Sequence, residues 1–352
     1  MGVSHQINQQ ADLTAGKSQL IDGFQRRVNY LRLSVTDRCD FRCIYCMSEE
    51  MTFLPRQEIL TLEELAFVAE AFTQLGVTKI RITGGEPLVR NNVMALFNRL
   101  GKINSLNELV MTTNGSRLEK FARPLKEAGV KRINISLDSL REDRFKAISR
   151  TGNLRDVLKG IETASEVGFE RIKINSVIMQ GKNADEILDL VNFVREKNLD
   201  IAFIEEMPLG NISDHQRKQS YISSDIIWEK INQVFPLQSP LAILPSLAAS
   251  SAGPAKYFTM ADSDSRIGFI SPHSHNFCAT CNRVRVTVEG RLLLCLGNEH
   301  SVDLRAVLRQ YPGDMAQLKA AIMIAMKIKP KSHEFDLNDE PQLVRFMNHT
   351  GG

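Results

Sequence analysis

From Tyr30 onward the chain switches repeatedly between two rhythms. Short runs of alternating apolar and polar residues are followed by longer stretches whose apolar residues recur every three or four positions. The first rhythm predicts half-buried strands and the second amphipathic helices. Strands are expected at YLRLSV (30–35), KIRIT (79–83), ELVMTT (108–113), KRINISL (131–137), RIKINSVIM (171–179) and DIAFIEEM (200–207). Helices are expected near 61–75, 91–101, 117–128, 153–167 and 183–197. Thr61 followed by Glu64 reads as a capping box, and Gly76, Gly129 and Gly168 stand where helices stop. Strands that alternate with helices pair in parallel through crossover connections. Six such units, against eight in a full barrel, predict an α/β fold, an incomplete (β/α)6 barrel.

The alternation also assigns the faces. Leu31, Leu33 and Val35 share one face of the first strand, Ile80 and Ile82 of the second, Ile133, Ile135 and Leu137 of the fourth, Ile172 and Ile174 of the fifth. A strand covered by helices needs an apolar outer face. Arg32, Ser34, Arg81, Thr83, Asn134, Ser136, Asp138, Lys173 and Asn175 then point inward. Barrel lumens are ordinarily filled with branched apolar side chains, so three cations there predict an open lumen that takes an anion. A half-exposed antiparallel sheet would show the same alternation and is the competing reading. Polar segments follow the strands, where barrel active sites form. They include Gly84-Gly85-Glu86-Pro87 after the second strand and Thr112-Thr113-Asn114-Gly115 after the third. Asp138-Ser139 follows the fourth and Glu205-Glu206-Met207-Pro208 the sixth. Paired glycines let backbone approach a ligand, and Glu86 is placed to accept a hydrogen bond from an ammonium group.

Beyond Gly210 the rhythm changes. A helix capped near Ser223-Ser224 runs to about Phe235, and an Ala/Ser/Pro-rich linker occupies 239–254. Strands KYFTM and RIGFISP follow, then the hairpin RVRVTVEGRLLLCL turning at Glu289-Gly290, then helices near 302–310 and 314–327. The expected division is a polar leader at 1–27, a partial barrel at 28–215, a C-terminal domain at 216–340 and a tail at 341–352. With 352 residues there is room for two domains, and 43% apolar with 24% charged residues is an ordinary globular balance. A formal charge of +3 argues against a general nucleic-acid surface. The polar start lacks the apolar core of a secretory signal, and no apolar run approaches the ~18 residues of a membrane span. A cytoplasmic protein is expected, with no membrane partner.

The six cysteines fall into two sets, Cys39, Cys43, Cys46 and Cys278, Cys281, Cys295. Without an export signal, two three-ligand metal sites explain them better than disulfides do. Three thiolates leave one position of a 4Fe-4S cluster open. Structural zinc wants four ligands; Asp37, Asp40 or a remote His could complete the first set, and His273, His275 or His300 the second. Arg283 and Arg285, alternating with Val284 and Val286, place two guanidiniums on one face beside the second set. Such forks suit phosphate.

C-x3-C-x2-C with the aromatic Tyr45 before its last Cys resembles the cluster loop of the radical S-adenosylmethionine (SAM) enzymes. Together with RITGGEPLVR, TTNG, NISLDSL, FCATCNRVRVT and the terminal Gly351-Gly352, the chain resembles, from about Tyr30 to its end, the GTP cyclase family of molybdenum cofactor biosynthesis. The resemblance implies a barrel of the radical SAM type whose mouth is closed by a smaller α+β C-terminal domain. It implies one 4Fe-4S cluster on Cys39, Cys43 and Cys46, whose open iron chelates SAM, and another on Cys278, Cys281 and Cys295, whose open iron meets guanine. SAM would be bound by Tyr45, Gly85, Ser136 and Met207. GTP would be bound by Arg32, Arg81, Thr112, Lys173, Arg283, Val284 and Arg285, and the Gly351-Gly352 tail would enter the site. The implied partners are a low-potential electron donor, the next enzyme of the pathway and a second copy of the chain. One departure is Ala202, where many relatives carry a basic residue; it leaves the partner of Glu205 open. Competing readings are a peptide-modifying radical SAM enzyme with a fully ligated auxiliary site, and a zinc-binding interaction protein. A third, an RNA-modifying enzyme, calls for more basic or aromatic surface than 7% aromatic residues provide.

Overall fold

A computed structural model describes residues 19–351, apart from 211, 213–214, 216, 240–252, 334 and 336–344. Its framework is six strands: β1 (Tyr30–Ser34), β2 (Lys79–Thr83), β3 (Glu108–Thr113), β4 (Val130–Ser136), β5 (Arg171–Val177) and β6 (Asp200–Ile204). They lie side by side in chain order, and each pairs in parallel with the next. Between them run α1 (Leu62–Gln74), α2 (Val93–Leu100), α3 (Leu118–Glu127), α4 (Glu142–Ser149), α5 (Leu154–Val167) and α6 (Ile187–Glu196). The Thr61–Glu64 capping box starts α1, with Thr61 Oγ1 accepting from Glu64 N at 3.1 Å and Glu64 Oε2 accepting from Thr61 N at 2.8 Å. Helix α4 was not expected. Its sequence, EDRFKAIS, is polar apart from Phe145, Ala147 and Ile148, and Phe145 and Ile148 anchor it by burial. The fifth and sixth strands are shorter than expected. At the end of β5 the N–H of Val177 donates to Asp138 Oδ1 at 2.8 Å, a side chain in place of a strand partner.

The C-terminal half joins the same sheet. It supplies β7 (Leu237–Gln238), β8 (Lys256–Met260), β9 (Ser263–Ile270), β10 (Arg283–Val286), β11 (Arg291–Leu293) and β12 (Ser301–Asp303). β9 pairs in parallel with β6, and β10 pairs in parallel with β1. The parallel core is therefore extended at both edges, and antiparallel strands outside it complete a sheet that has 12 strands among the described residues. Sequence periodicity shows strands but not their neighbours, so this arrangement was not legible beforehand.

One face of the sheet is apolar: Leu31, Leu33, Ile80, Ile82, Ile133, Ile135, Ile172, Ile174, Ile201 and Phe203 are buried in a core shared with Phe72, Phe97, Val157 and Ile161 of the helices. The other face borders a single cavity with residues of β1 to β6, β9 and β10. Strands that far apart in order share a cavity only if the sheet curls around it. The polar positions thus face a lumen, and the antiparallel alternative falls. Residues 19–27, expected as part of a polar leader, are packed down: Leu20 and Asp22 are buried, and Arg26 Nε donates to Asp22 Oδ2 at 2.6 Å. Most of the expected linker, 240–252, lies outside the described residues. No helix among the described residues is long and apolar enough to cross a membrane.

Candidate active site

The lumen is a cavity of about 320 Å³ bordered by Cys39, Cys43 and Cys46, and also by Cys278, Cys281 and Cys295. All six are free thiols. The first set sits on the loop after β1, and side chains from three later segments hold that loop in place. Asn114 Nδ2 donates to Asp40 Oδ1 at 2.6 Å, Ser116 Oγ to Asp40 Oδ2 at 2.8 Å, and Thr151 Oγ1 to Asp40 O at 2.7 Å. Tyr45 OH donates to Asp138 Oδ2 at 2.8 Å, and burial pushes the Asp138 carboxyl up to about 6.

The glycine pair serves the same loop. Gly85 N donates to Thr36 O at 2.7 Å and Glu86 N to Arg38 O at 2.8 Å, so backbone lies against backbone. A Cβ on Gly85 would stand 2.4 Å from Arg38 O, closer than side-chain carbons come to anything. Glu86 corrects an expectation. Its carboxylate is fully buried and accepts from Leu88 N (3.0 Å), Thr113 Oγ1 (2.9 Å) and Asn114 N (2.7 Å). Burial pushes it up to about 7 against those donors. Its oxygens are engaged inside the protein, so it braces the loops after β2 and β3 rather than offering itself to an ammonium. Gly85→Ala is therefore expected to displace the Cys39–Cys46 loop. Anaerobic reconstitution followed by iron analysis should give about four iron per chain where the parent takes about eight; unchanged iron would refute this role.

The second set lies on and beside the β10–β11 hairpin, with Cys278 N fixed by Asn276 Oδ1 at 2.7 Å. The histidines considered as zinc ligands are turned elsewhere. His273 Nε2 meets Glu206 O at 3.0 Å, His275 Nε2 meets Asp225 Oδ1 at 2.7 Å, and His300 Nδ1 meets Asn298. None of the three borders the cavity. Among the described residues no three His, Cys, Asp or Glu side chains converge as a single-ion site. Two sets of three thiols spread along one cavity wall fit inorganic cores larger than one ion, each with a ligand position left over.

The wall of this cavity is cationic. Register places Arg285, Arg32 and Arg81 side by side across β10, β1 and β2. One row away, Tyr30 lies between Arg283 and Lys79. Like charges directly opposite destabilise a sheet, and burial compounds the cost. It lowers Arg32 to about 10, Lys173 to about 7 and Arg285 well below the usual guanidinium range. Burial pushes Tyr30 up, but Arg81, Arg32 and Lys79 outweigh it and hold the phenol at about 6. Arg81 is oriented by Tyr30 OH at 2.6 Å, Met111 O at 2.8 Å and Thr112 Oγ1 at 3.3 Å. Among the described residues Arg81, Lys173, Arg283 and Arg285 have no carboxylate at ion-pair distance. Tyr30 offsets part of this charge, and an anion bound in the cavity would relieve more of it.

The tail reaches this wall. Gly351 O accepts from Arg32 Nη2 at 3.2 Å and from Arg285 Nη1. Just before it, Asn348 Nδ2 donates to Asp37 O at 2.8 Å and Met347 N to Cys46 O at 3.2 Å. Gly351 has φ +73°, and a Cβ there would lie 1.9 Å from Thr83 Oγ1. Gly352 lies outside the described residues. Of the other residues singled out beforehand, Ser136, Met207 and Val284 border the cavity, and Val284 packs in the apolar core as well. Glu205 has its partners: Ser224 N and His273 N at 2.9 Å, Ser274 N at 3.2 Å and Ser274 Oγ. Ala202 is buried and paired with Asn175, whose Oδ1 is buried without a partner. Tyr30 and Asn175 went unassigned, although each lies two positions along its strand from Arg32 or Lys173 and so shares the inward face.

Residues 33–194 match the Radical SAM superfamily model, and residues 199–335 match the Molybdenum Cofactor Synthesis C model. A protein of Pseudomonas entomophila named GTP 3',8-cyclase is 58% identical over 334 residues, covering 95% of this chain and 98% of its own. A protein of Saccharophagus degradans with the same name is 57% identical over 335 residues, covering 95% and 99%. Among solved structures, SuiB of Streptococcus suis bound to S-adenosylmethionine aligns with a TM-score of 0.59 at 15% identity, covering 90% of this chain and 77% of that one. That likeness is one of fold.

Proposed function

This chain belongs to the GTP 3',8-cyclase family of the radical SAM superfamily, and from that premise we propose how its residues convert GTP to 3',8-cyclo-7,8-dihydro-GTP in molybdenum cofactor biosynthesis. Cys39, Cys43 and Cys46 would hold the SAM-binding 4Fe-4S cluster, and Cys278, Cys281 and Cys295 the second. When bound, the first supplies one-electron cleavage of SAM to methionine and a 5'-deoxyadenosyl radical that takes hydrogen from the GTP ribose. The protein holds the reacting atoms in register and keeps water out.

The observation that carries the substrate is the in-register row Arg285, Arg32, Arg81, which with Lys173 borders the same cavity as both thiol sets. These cations would take the triphosphate, with the guanine base toward Cys278, Cys281 and Cys295. SAM would lie over the first loop, near Gly85, Ser136 and Met207. Tyr45, engaged with Asp138, would act by fixing that loop. A cytoplasmic homodimer, fed by a low-potential electron donor and handing its product to the next enzyme, completes the reading.

The test is anaerobic reconstitution followed by incubation with SAM, dithionite and GTP. About eight iron per chain, 5'-deoxyadenosine and a cyclised GTP are expected. SAM cleavage with GTP untouched would overturn the substrate.

The same wall sets a pH dependence. A triphosphate favours the ammonium of Lys173 and the phenol of Tyr30, so GTP binding should take up protons where the free protein has lost them. Lys173, at about 7, has lost its proton above that pH, and Tyr30 is ionised above about 6. Arg32, Lys79, Arg81, Arg283, Arg285 and Asp200 face these two groups. GTP affinity should therefore fall as pH rises above about 6, and more steeply above about 7. Titration calorimetry in buffers of different ionisation enthalpy should read net proton uptake, reduced in Lys173→Met; binding with no proton exchange would refute it.

A further inference from the structure

One buried charge has no task in binding GTP or SAM. Lys329 follows the helix Met315–Met326 and is 2% exposed. Its Nζ donates to Leu294 O at 2.5 Å, one residue before Cys295, and lies 3.8 Å from Cys281 Sγ. Among the described residues it has no carboxylate at ion-pair distance. An ammonium taken out of water needs a counter-charge, and besides the Leu294 carbonyl the groups it acts on among the described residues are Cys281 and Cys295 of the second cysteine set.

Its position is fixed from behind. Arg26, held by the buried Asp22, donates to Cys278 O at 2.8 Å, Pro330 O at 2.6 Å and Lys331 O at 2.8 Å. The segment that carries Lys329 is thereby tied to Cys278 by one guanidinium. Cys278, Cys281 and Cys295 are each approached on the protein side by a member of this clamp.

We propose that Lys329 is a positioning residue for the second site: the fixed counter-charge of the anionic iron–sulfur core on Cys278, Cys281 and Cys295, which raises that core's reduction potential. This rests on the two-cluster reading above. Reduction adds one negative charge to the core. A buried ammonium beside a ligand sulfur stabilises the reduced form more than the oxidised one, and the low local dielectric keeps that difference from being screened.

The experiment compares Lys329→Met, Lys329→Arg and the parent, all full length and reconstituted anaerobically. Iron and sulfide are counted, and both centres are followed by EPR through a potentiometric titration. In Lys329→Met the reduced-to-oxidised ratio of the second centre at fixed potential should fall about tenfold, about 59 mV downward for a one-electron couple. The first centre should not move, and Lys329→Arg should restore most of the shift. Weaker iron retention in the Met variant that the Arg variant recovers would also support the role. A fully loaded Met variant with an unshifted second centre would overturn it. So would loss of that centre in both variants with the fold retained, because charge would then not be what Lys329 contributes. A parent that forms only one centre would sink the two-cluster reading itself.

Discussion

Arg285→Met is expected to weaken GTP binding by two to three orders of magnitude while SAM cleavage stays within a few-fold of the parent. Arg285 stands at one end of the in-register guanidinium row, half-buried and with no carboxylate partner among the described residues. Losing a buried, charge-assisted contact to a phosphate typically costs about 2–5 kcal/mol, hence the expected range. SAM would sit over the Cys39–Cys46 loop, braced by Asp138, Asn114 and Ser116, none of which touches Arg285. The same change should not lower the melting temperature of the ligand-free protein. It relieves repulsion between neighbouring guanidiniums and the cost of burying one of them, which offsets the lost hydrogen bond to Gly351 O. Equilibrium dialysis with GTP, a 5'-deoxyadenosine assay and calorimetry give the three readings. Equal loss of GTP binding and SAM cleavage would count against a substrate role for the row.

Gly351→Ala should reduce turnover about 100-fold, the usual scale for a displacement of about 1 Å at a reacting centre. Two features make the position intolerant. Its φ of +73° disfavours any side chain, and the added Cβ would collide with Thr83 Oγ1 at 1.9 Å. The tail would have to lift, taking its carbonyl away from Arg32 and Arg285. Because Asn348 still bonds to Asp37 O, the lift should stay local. The fall should therefore appear mainly in kcat, with GTP affinity within a few-fold. Unaltered kcat in Gly351→Ala would show that the tail's placement does not matter to the reaction.

Period-2 alternation was enough to show which strand faces are apolar, because a helical layer admits no exception at Leu31, Ile80, Ile133 or Ile172. It also brought out Arg32, Arg81 and Lys173 as inward cations. Their mutual register was not legible, since it depends on which strands are neighbours, and β10 joins β1 from the far end of the chain. Glu86 was misread for a related reason. A carboxylate after a glycine pair looks available in sequence, whereas here three donors surround it, one from its own turn, one from the end of β3 and one from the loop that follows. Lys329 escaped notice because a lysine at a helix end is ordinarily solvated; only the packing of the hairpin turns it inward. Beside Ala202 the buried Asn175 Oδ1 has no partner, an unmet polar demand that the sequence alone did not show.

The attachment of β10 to β1 also bears on synthesis. Asn29, just before β1, hydrogen-bonds to Asn282, 253 residues later, and the strands they introduce pair from there. On the ribosome the earliest strand made must wait, one edge open, until nearly the whole chain has emerged, and β6 waits likewise for β9. Open edges on a slow, long-range topology invite pairing with other nascent chains. The halves that match two separate sequence families thus share one sheet, whose two parallel edges are covered only after the C-terminal half has been made.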